Sequence, residues 1–284
     1  MVKQNTPEWL EMRKKMVGAS DAPIIMQVSP YGTPYQLWEQ KLDLAPPKED
    51  TFAMREGRRK EDPARLELEK MTGLFFLPQV KFHRQFPWMM ASLDCIDPEG
   101  KYIAEIKCPK EEDHAIALAG QVPDKYFPQV QHQLEVCELE MGYYFSFYKT
   151  AGVIVKVYRD DHYIKKMLEK EKEFWDRLQE FTPPPMTEKD YEQKTDEKWL
   201  YTCEELLKIR EQLKEIEVLE KREKQLEDEL KILSNKRNCI GGGVKLTRFI
   251  RKGNVDYSCI PELKNVELES YRKPPIEAYR ISVI

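Results

Sequence analysis

The segment from Ala91 to Lys107, ASLDCIDPEGKYIAEIK, holds the side chains best suited to chemistry in this 284-residue chain. Asp94, ten intervening residues and then Glu105-Ile106-Lys107 bring two carboxylates and an ammonium into one short stretch. Pro98-Glu99-Gly100 reads as a turn, so the apolar runs on either side fold back as a strand pair. Alternation in the second run puts Ile103, Glu105 and Lys107 on one face and Tyr102, Ala104 and Ile106 on the other. Asp94 then lies across the turn from Glu105. Such a set suits a hard cation, because Mg²⁺ takes oxygen ligands from one or two carboxylates and keeps several waters. Phosphodiester hydrolysis uses the metal to activate water and to neutralise the leaving oxygen, and a nearby ammonium orients that water or stabilises the transition state. The same residues also fit a surface hairpin with a salt bridge, since 34% of the chain is charged.

The flanking sequence supplies elements to position this segment. Thr6-Pro7-Glu8-Trp9 is a helix start, with Trp9, Arg13 and Met16 on one face and Gly18 at the end. Ser20-Asp21 is expected to cap a second helix, whose N-terminus beside Arg13 is a natural anion site. The alternative is that Ser20 simply caps and Arg13 pairs with Glu8 or Glu11. Thr33-Pro34 opens a third helix. A long amphipathic helix is expected over Thr51 to Met71, with Phe52, Glu56, Lys60 or Glu61, Ala64, Leu66 and Leu68 inward. Pro63 predicts a kink or break just after Glu61. Val80 to Phe86 and Trp88 to Ile96 are strands. Pro123-Asp124 opens a helix with Gln129, Gln133 and Val136 on one side; inward glutamines need partners, which a water-bearing site would supply. Met141 to Thr150 and Val153 to Arg159 are strands joined by a Gly152 turn, and Asp160 caps a helix from Tyr163 to Phe181.

Three further stretches sharpen this reading: TPEWLEMRKKMVGASDAPIIMQVSPYGTPYQLW, GRRKEDPARLELEKMTG and YFPQVQHQLEV. Together with the Asp94 segment, and in this order, they resemble the YqaJ-like viral recombinase family, to which the lambda-type phage exonuclease is similar. The resemblance spans roughly residues 6 to 160. It implies an α/β fold of the PD-(D/E)xK, restriction-endonuclease-like class, a central mixed sheet flanked by helices. By that resemblance Asp94 and Glu105 match metal-binding carboxylates, the Ile106 backbone carbonyl adds a ligand, and Lys107 matches the active-site lysine. Glu61 matches a helix-borne glutamate that reaches the metal, and Gln129 a glutamine beside the attacking water. Trp9, Arg13 and Ser20 reproduce a W-x3-R-x6-S spacing whose Arg and Ser hold a terminal 5′-phosphate, with Ser92 as a second phosphate-binding serine. VKFHRQF (Val80 to Phe86) departs from the family in offering no further acid upstream.

The resemblance further implies a Mg²⁺-dependent 5′-to-3′ exonuclease, with Mn²⁺ as an alternative and two ions per site. It would act on double-stranded DNA ends and leave 3′ overhangs for a single-strand annealing recombinase, as a homotrimer of phage or prophage origin in a bacterial cytoplasm. The alternatives are an endonuclease or resolvase on the same fold, and a non-catalytic DNA-binding protein.

Composition sets the remaining bounds. A net charge of −4 gives no global footprint of a nucleic-acid binder, although a local groove with bound metal can supply the positive field. Six scattered cysteines form neither a disulfide nor a zinc framework and lack the clustering an iron–sulfur site needs. No apolar run approaches a membrane span of about 18 residues, and the expectation is a soluble protein without a membrane partner. Thr182-Pro183-Pro184-Pro185 marks a boundary between a domain at 1–182 and an extension at 183–284. The extension is expected to hold a charged helix from Thr202 to Asn235, a flexible Gly241-Gly242-Gly243 break, and a basic hairpin turning at Gly253-Asn254. Lys245, Thr247, Phe249 and Arg251 would share one face of that hairpin, and Lys245, Arg248 and Arg251 are its candidate DNA contacts.

Overall fold

The computed structural model describes residues 4, 6–46, 51–250 and 253. The chain divides into two units, Met1–Glu192 and Gln193–Ile284. In the first, helices α1 (Pro7–Lys15), α2 (Ala22–Ile25), α3 (Pro34–Lys41), α4 (Phe52–Thr72), α5 (Glu111–Leu118), α6 (Phe127–Cys137) and α7 (Asp161–Gln179) surround one sheet. Its strands are β1 (Val17–Gly18), β2 (Leu77–Phe82), β3 (Met89–Ile96), β4 (Ile103–Lys107), β5 (Met141–Tyr148) and β6 (Ala151–Tyr158). Their order is β1-β3-β4-β5-β6, with β2 also paired to β3. The β4–β5 pair is parallel, and α5 and α6 form the crossover that such a pair requires.

Local signals act where the sequence places them. The Thr6 hydroxyl accepts from the Trp9 amide, Thr33 and Gln36 close a capping box, and Asp160 accepts from the Tyr163 amide. The sheet is buried on both sides. Ile103, Leu93, Val130, Leu134, Tyr144 and Phe174 pack on one face, while Ala104, Ile106, Cys95, Phe145, Ala64 and Leu68 pack on the other. Alternation along β4 therefore holds, with Ile103 facing α6 and Ala104 and Ile106 facing α4.

Two expectations for α4 are corrected. The helix runs unbroken through Pro63. Ala64 and Leu68, both 0% exposed, pin it to the sheet and offset the lost backbone hydrogen bond. Leu66 and Phe52 face outward, at 57% and 72% exposure; Leu66 lies about 200° around the helix from Ala64, on the opposite side.

Gly152 is not the turn between β5 and β6. That turn passes through Lys149 at φ +56°, and Gly152 lies within β6 opposite Phe147. A Cβ at Gly152 would sit 2.4 Å from Cζ of Phe145. Gly152→Ala is therefore expected to cost about 1–3 kcal/mol through overpacking. The check is a lowered urea midpoint at unchanged slope; an unchanged midpoint would mean that Phe145 yields freely.

The residues after α7 return to this unit, where the Thr33 hydroxyl donates to Asp190 and Gln36 donates to the Lys189 carbonyl at 3.2 Å.

In the second unit, Asp196 caps α8 (Glu197–Leu233) by accepting from the Trp199 amide, so this helix starts earlier than the expected Thr202. Strands β7 (Cys239–Gly241) and β8 (Val244–Leu246) form a hairpin. Its two central residues, Gly242 at φ +56° and Gly243 at φ +81°, make the two-residue turn for which paired glycines are suited. The triple glycine is thus a hairpin turn, not a break. Lys245 lies on β8, but the strand ends at Leu246, so the expected basic face through Thr247 and Phe249 is not built as a strand. The Arg248 backbone N–H donates to Asn238 Oδ1 at 2.7 Å instead. Arg251 and the expected second strand beyond Asn254 lie outside the described residues. Among the described residues no helix is long and apolar enough to cross a membrane.

Candidate active site

The chemistry-bearing side chains gather where β3 and β4 part. These strands pair only at Cys95–Ala104 and Ile96–Ile103, after which β4 continues alongside β5. Asp94 stands at the opening, and its Oδ2 accepts from the Ile106 amide at 3.0 Å, replacing the next rung of the ladder. A β-bulge lies at the same place. Between Leu77–Ile96 and Gln79–Leu93 the register advances two residues on β2 and three on β3, so β3 carries an extra residue around Asp94 and Cys95. The bulge interrupts alternation, leaving Leu93 in one core layer and Cys95 in the other. Bulges of this kind re-aim side chains beside functional sites.

Glu105 is 1% exposed on the α6 face of β4. Its Oε1 accepts from Lys107 Nζ and from Gln129 Nε2, the latter at 2.6 Å, and its Oε2 accepts from Gln133 Nε2. A helix that packs inward thus supplies two glutamine amides to one buried carboxylate, which answers where those glutamines find partners. Lys107 also lies 5.4 Å from the centre of the Tyr126 ring.

The electrostatics are those of too many carboxylates around one ammonium. Burial, and then the Glu105 charge, push the Asp94 carboxyl well above its ordinary value. Burial and the Glu105 charge also raise Glu61, which feels Lys107 as well. Burial alone would lower Lys107, but Glu105 and Asp94 outweigh it and raise it. Among the described residues no three His, Cys, Asp or Glu side chains are grouped tightly enough to hold a metal by themselves. Glu105 is turned instead to its three donors. The donor set still fits a hard divalent cation: carboxylate and carbonyl oxygens, with burial and the Glu105 charge both raising Asp94.

The proposed phosphate residues are also brought together. Arg13 donates to Ser20 Oγ at 2.7 Å and stacks 4.7 Å from the centre of the Trp9 ring. The Trp9 indole N–H donates to Ser92 Oγ at 2.9 Å. Ser92 lies two residues before Asp94, about 7 Å along the strand, which joins this group to the fork. Ser20 does not cap a helix, contrary to expectation. Asp21 is the N-cap residue of α2, and that helix has only four residues. The Asp21 carboxylate turns back to the Gly18 amide at 2.8 Å and to Lys41 Nζ at 2.7 Å. Lys41 also donates to the carbonyls of Arg13 and Met16, so a buried ion pair holds the backbone beneath Arg13. The sequence signal for Lys41 was its place with Leu37 and Trp38 on the inward side of α3.

A second buried pair ties α6 to α7 and to β3. His132 Nδ1 faces Glu171 at 2.8 Å and Nε2 donates to the Met90 carbonyl at 2.9 Å, with both side chains fully buried. Burial alone would lower His132, but the Glu171 charge raises it, while burial raises Glu171. The folded pair therefore retains its proton to higher pH than the unfolded groups. Its contribution is complete below the unfolded histidine value of about 6.5 and is lost as pH rises through the higher folded value. The stability difference between wild type and Glu171→Gln should narrow across that rise; a difference that widens contradicts the pairing.

Residues 8–140 match the YqaJ-like viral recombinase domain. The chain is 30% identical over 174 residues to uncharacterized protein YqaJ of Bacillus subtilis (strain 168). That match covers 59% of this chain and 54% of the relative, so the chain spans about half of the relative's length. The crystal structure of an alkaline exonuclease (LHK-Exo) from Laribacter hongkongensis superposes with a TM-score of 0.54 at 22% identity, covering 62% of this chain and 94% of that one. LHK-Exo in complex with dAMP superposes equally, at TM-score 0.54 and 21% identity over the same shares of both chains. The likeness establishes the PD-(D/E)xK fold, with a mixed central sheet between helices. All the residues gathered at the fork and around Arg13 fall within residues 8–140, the segment similar to the YqaJ-like viral recombinase domain.

Proposed function

We propose that the chain is a divalent-metal-dependent 5′-to-3′ exonuclease that digests linear double-stranded DNA and leaves 3′ overhangs for recombination by strand annealing. The observation that carries this reading is the strand fork, where Asp94, Glu105, Lys107 and Gln129 converge on one opening. The neighbour of the same fold is named an alkaline exonuclease and was crystallised with dAMP, a nucleoside monophosphate of the kind such digestion releases.

Asp94, Glu105 and the Ile106 carbonyl would hold Mg²⁺ or Mn²⁺, with Glu61 completing a site for two ions. The bound metal supplies Lewis-acid activation of water and neutralises the leaving oxygen. Glu105 anchors the amide of Gln129 and the ammonium of Lys107, so both are fixed before substrate arrives and can orient the attacking water. Arg13, one third exposed, can leave Ser20 and present two N–H groups to a terminal 5′-phosphate, with the hydroxyls of Ser20 and Ser92 as further donors. An endonuclease has no use for such a grip. The proposal extends to a homotrimer and to a single-strand annealing recombinase as partner. Lys245 and Arg248 are candidate contacts to DNA.

Arg13→Ala should reduce the preference for 5′-phosphorylated over 5′-hydroxyl ends by about 10-fold or more, the loss of one charged hydrogen-bonding group being worth about 1.5–3 kcal/mol. A preference retained in full would remove Arg13 from the phosphate site. The polarity itself is tested with duplexes labelled at one end. Early release of a 5′ label with a retained 3′ label is the expected result, and the reverse order would overturn the reading.

A further inference from the structure

Two glutamines one helical turn apart on α6 reach the same carboxylate. Gln129 takes Glu105 Oε1 and Gln133 takes Oε2. Gln133 is 1% exposed, and its own Oε1 has no hydrogen-bond partner. An unpaired buried amide acceptor is unfavourable. A residue needed only to fill this space would do better as an apolar side chain, like Val130 and Leu134 beside it. Gln131 shows how a structural glutamine is used on the same helix. Its Nε2 donates to the Tyr158 carbonyl and its Oε1 accepts from the Asp160 amide, so both ends are satisfied. Gln133 has one end committed to Glu105 and the other open.

We infer that Gln133 is a positioning residue for Glu105: its amide N–H fixes the second carboxylate oxygen, and its open Oε1 accepts from the hydration shell of the cation. The inference rests on the metal-dependent reading of the site. Partners that orient a metal-binding side chain are typically worth 10- to 100-fold in metal affinity. Gln129 holds one oxygen beside the ammonium; Gln133 sets the plane of the carboxylate from the other side.

The test is Mn²⁺ binding to the full-length protein by calorimetry, without DNA, in wild type, Gln133→Met and Gln133→Asn, with Gln131→Met as comparison. Both Gln133 variants should bind Mn²⁺ 10- to 100-fold more weakly, and excess metal should restore digestion towards the wild-type rate. Gln131→Met should lower the urea midpoint and leave Mn²⁺ affinity unchanged. Should Gln133→Met fail to fold, Gln133→Asn carries the comparison, because it stays polar but is one methylene too short to reach Glu105. Wild-type Mn²⁺ affinity in a folded Gln133 variant overturns the inference and leaves the exonuclease reading standing. Absence of Mn²⁺ binding by the wild type overturns both.

Discussion

Lys107→Ala is expected to lower digestion of DNA ends by about 100- to 1,000-fold, the usual loss when one preorganised donor is removed from a water-poor site. The ammonium is fixed by Glu105, lies over the Tyr126 ring and stands beside the raised carboxyl of Asp94. Alanine removes the only positive charge among these groups and a donor that would orient the attacking water. The fold should survive, because Glu105 keeps both glutamine amides. Single-turnover digestion separates this from a change in end binding: the rate at saturating enzyme should collapse while affinity for a 5′-phosphorylated end stays near wild type. A rate within a few-fold of wild type would exclude Lys107 from the chemistry.

Asp21→Ala is expected to be the most damaging substitution for stability, at about 3–5 kcal/mol, because it strips a buried cation of its counter-charge. Lys41 and Asp21 are both almost fully enclosed, and Lys41 Nζ would be left with the carbonyls of Arg13 and Met16 alone. Lys41 and then Arg13 lower the Asp21 carboxyl against the opposing pull of burial, which fits an ionised acid in the fold. Because Asp21 also receives the Gly18 amide, the loop carrying Ser20 should loosen with it. Chemical denaturation gives the size of the loss. The double variant Asp21→Ala, Lys41→Met should recover part of it, and no recovery would mean that the cost arises elsewhere.

Much of this was legible in the sequence because it depends on short-range order. The spacing of Asp94, Glu105 and Lys107, the Thr6, Thr33 and Asp160 caps, and the helical period that puts Gln129 inward are all set within about a dozen residues. The parts that were missed depend on distant chain. The bulge at Asp94 exists only in the register of β3 against β2. Ser20 looked like a cap, but Asp21 is drawn away by Lys41, twenty residues on, and the helix after it stops at four residues. Gly152 looked like a turn residue, whereas the ring of Phe145, reaching over it from two residues along β5, accounts for the absent side chain. Pro63 predicted a break that packing of Ala64 and Leu68 suppresses. Gln133 was visible on the same face as Gln129, one turn further, but the carboxylate it serves lies on another element.

The central claim is that the fork and the Arg13 group together digest DNA from its 5′-phosphorylated ends. Its most direct test is incubation with Mg²⁺ of equal mixtures of 5′-phosphorylated linear duplex, 5′-hydroxyl linear duplex and covalently closed circles, beside the Lys107→Ala protein. Rapid loss of the phosphorylated linear DNA, slower loss of the hydroxyl form, intact circles and no digestion by Lys107→Ala is the predicted result. Cutting of the circles, or digestion that survives Lys107→Ala, would contradict it.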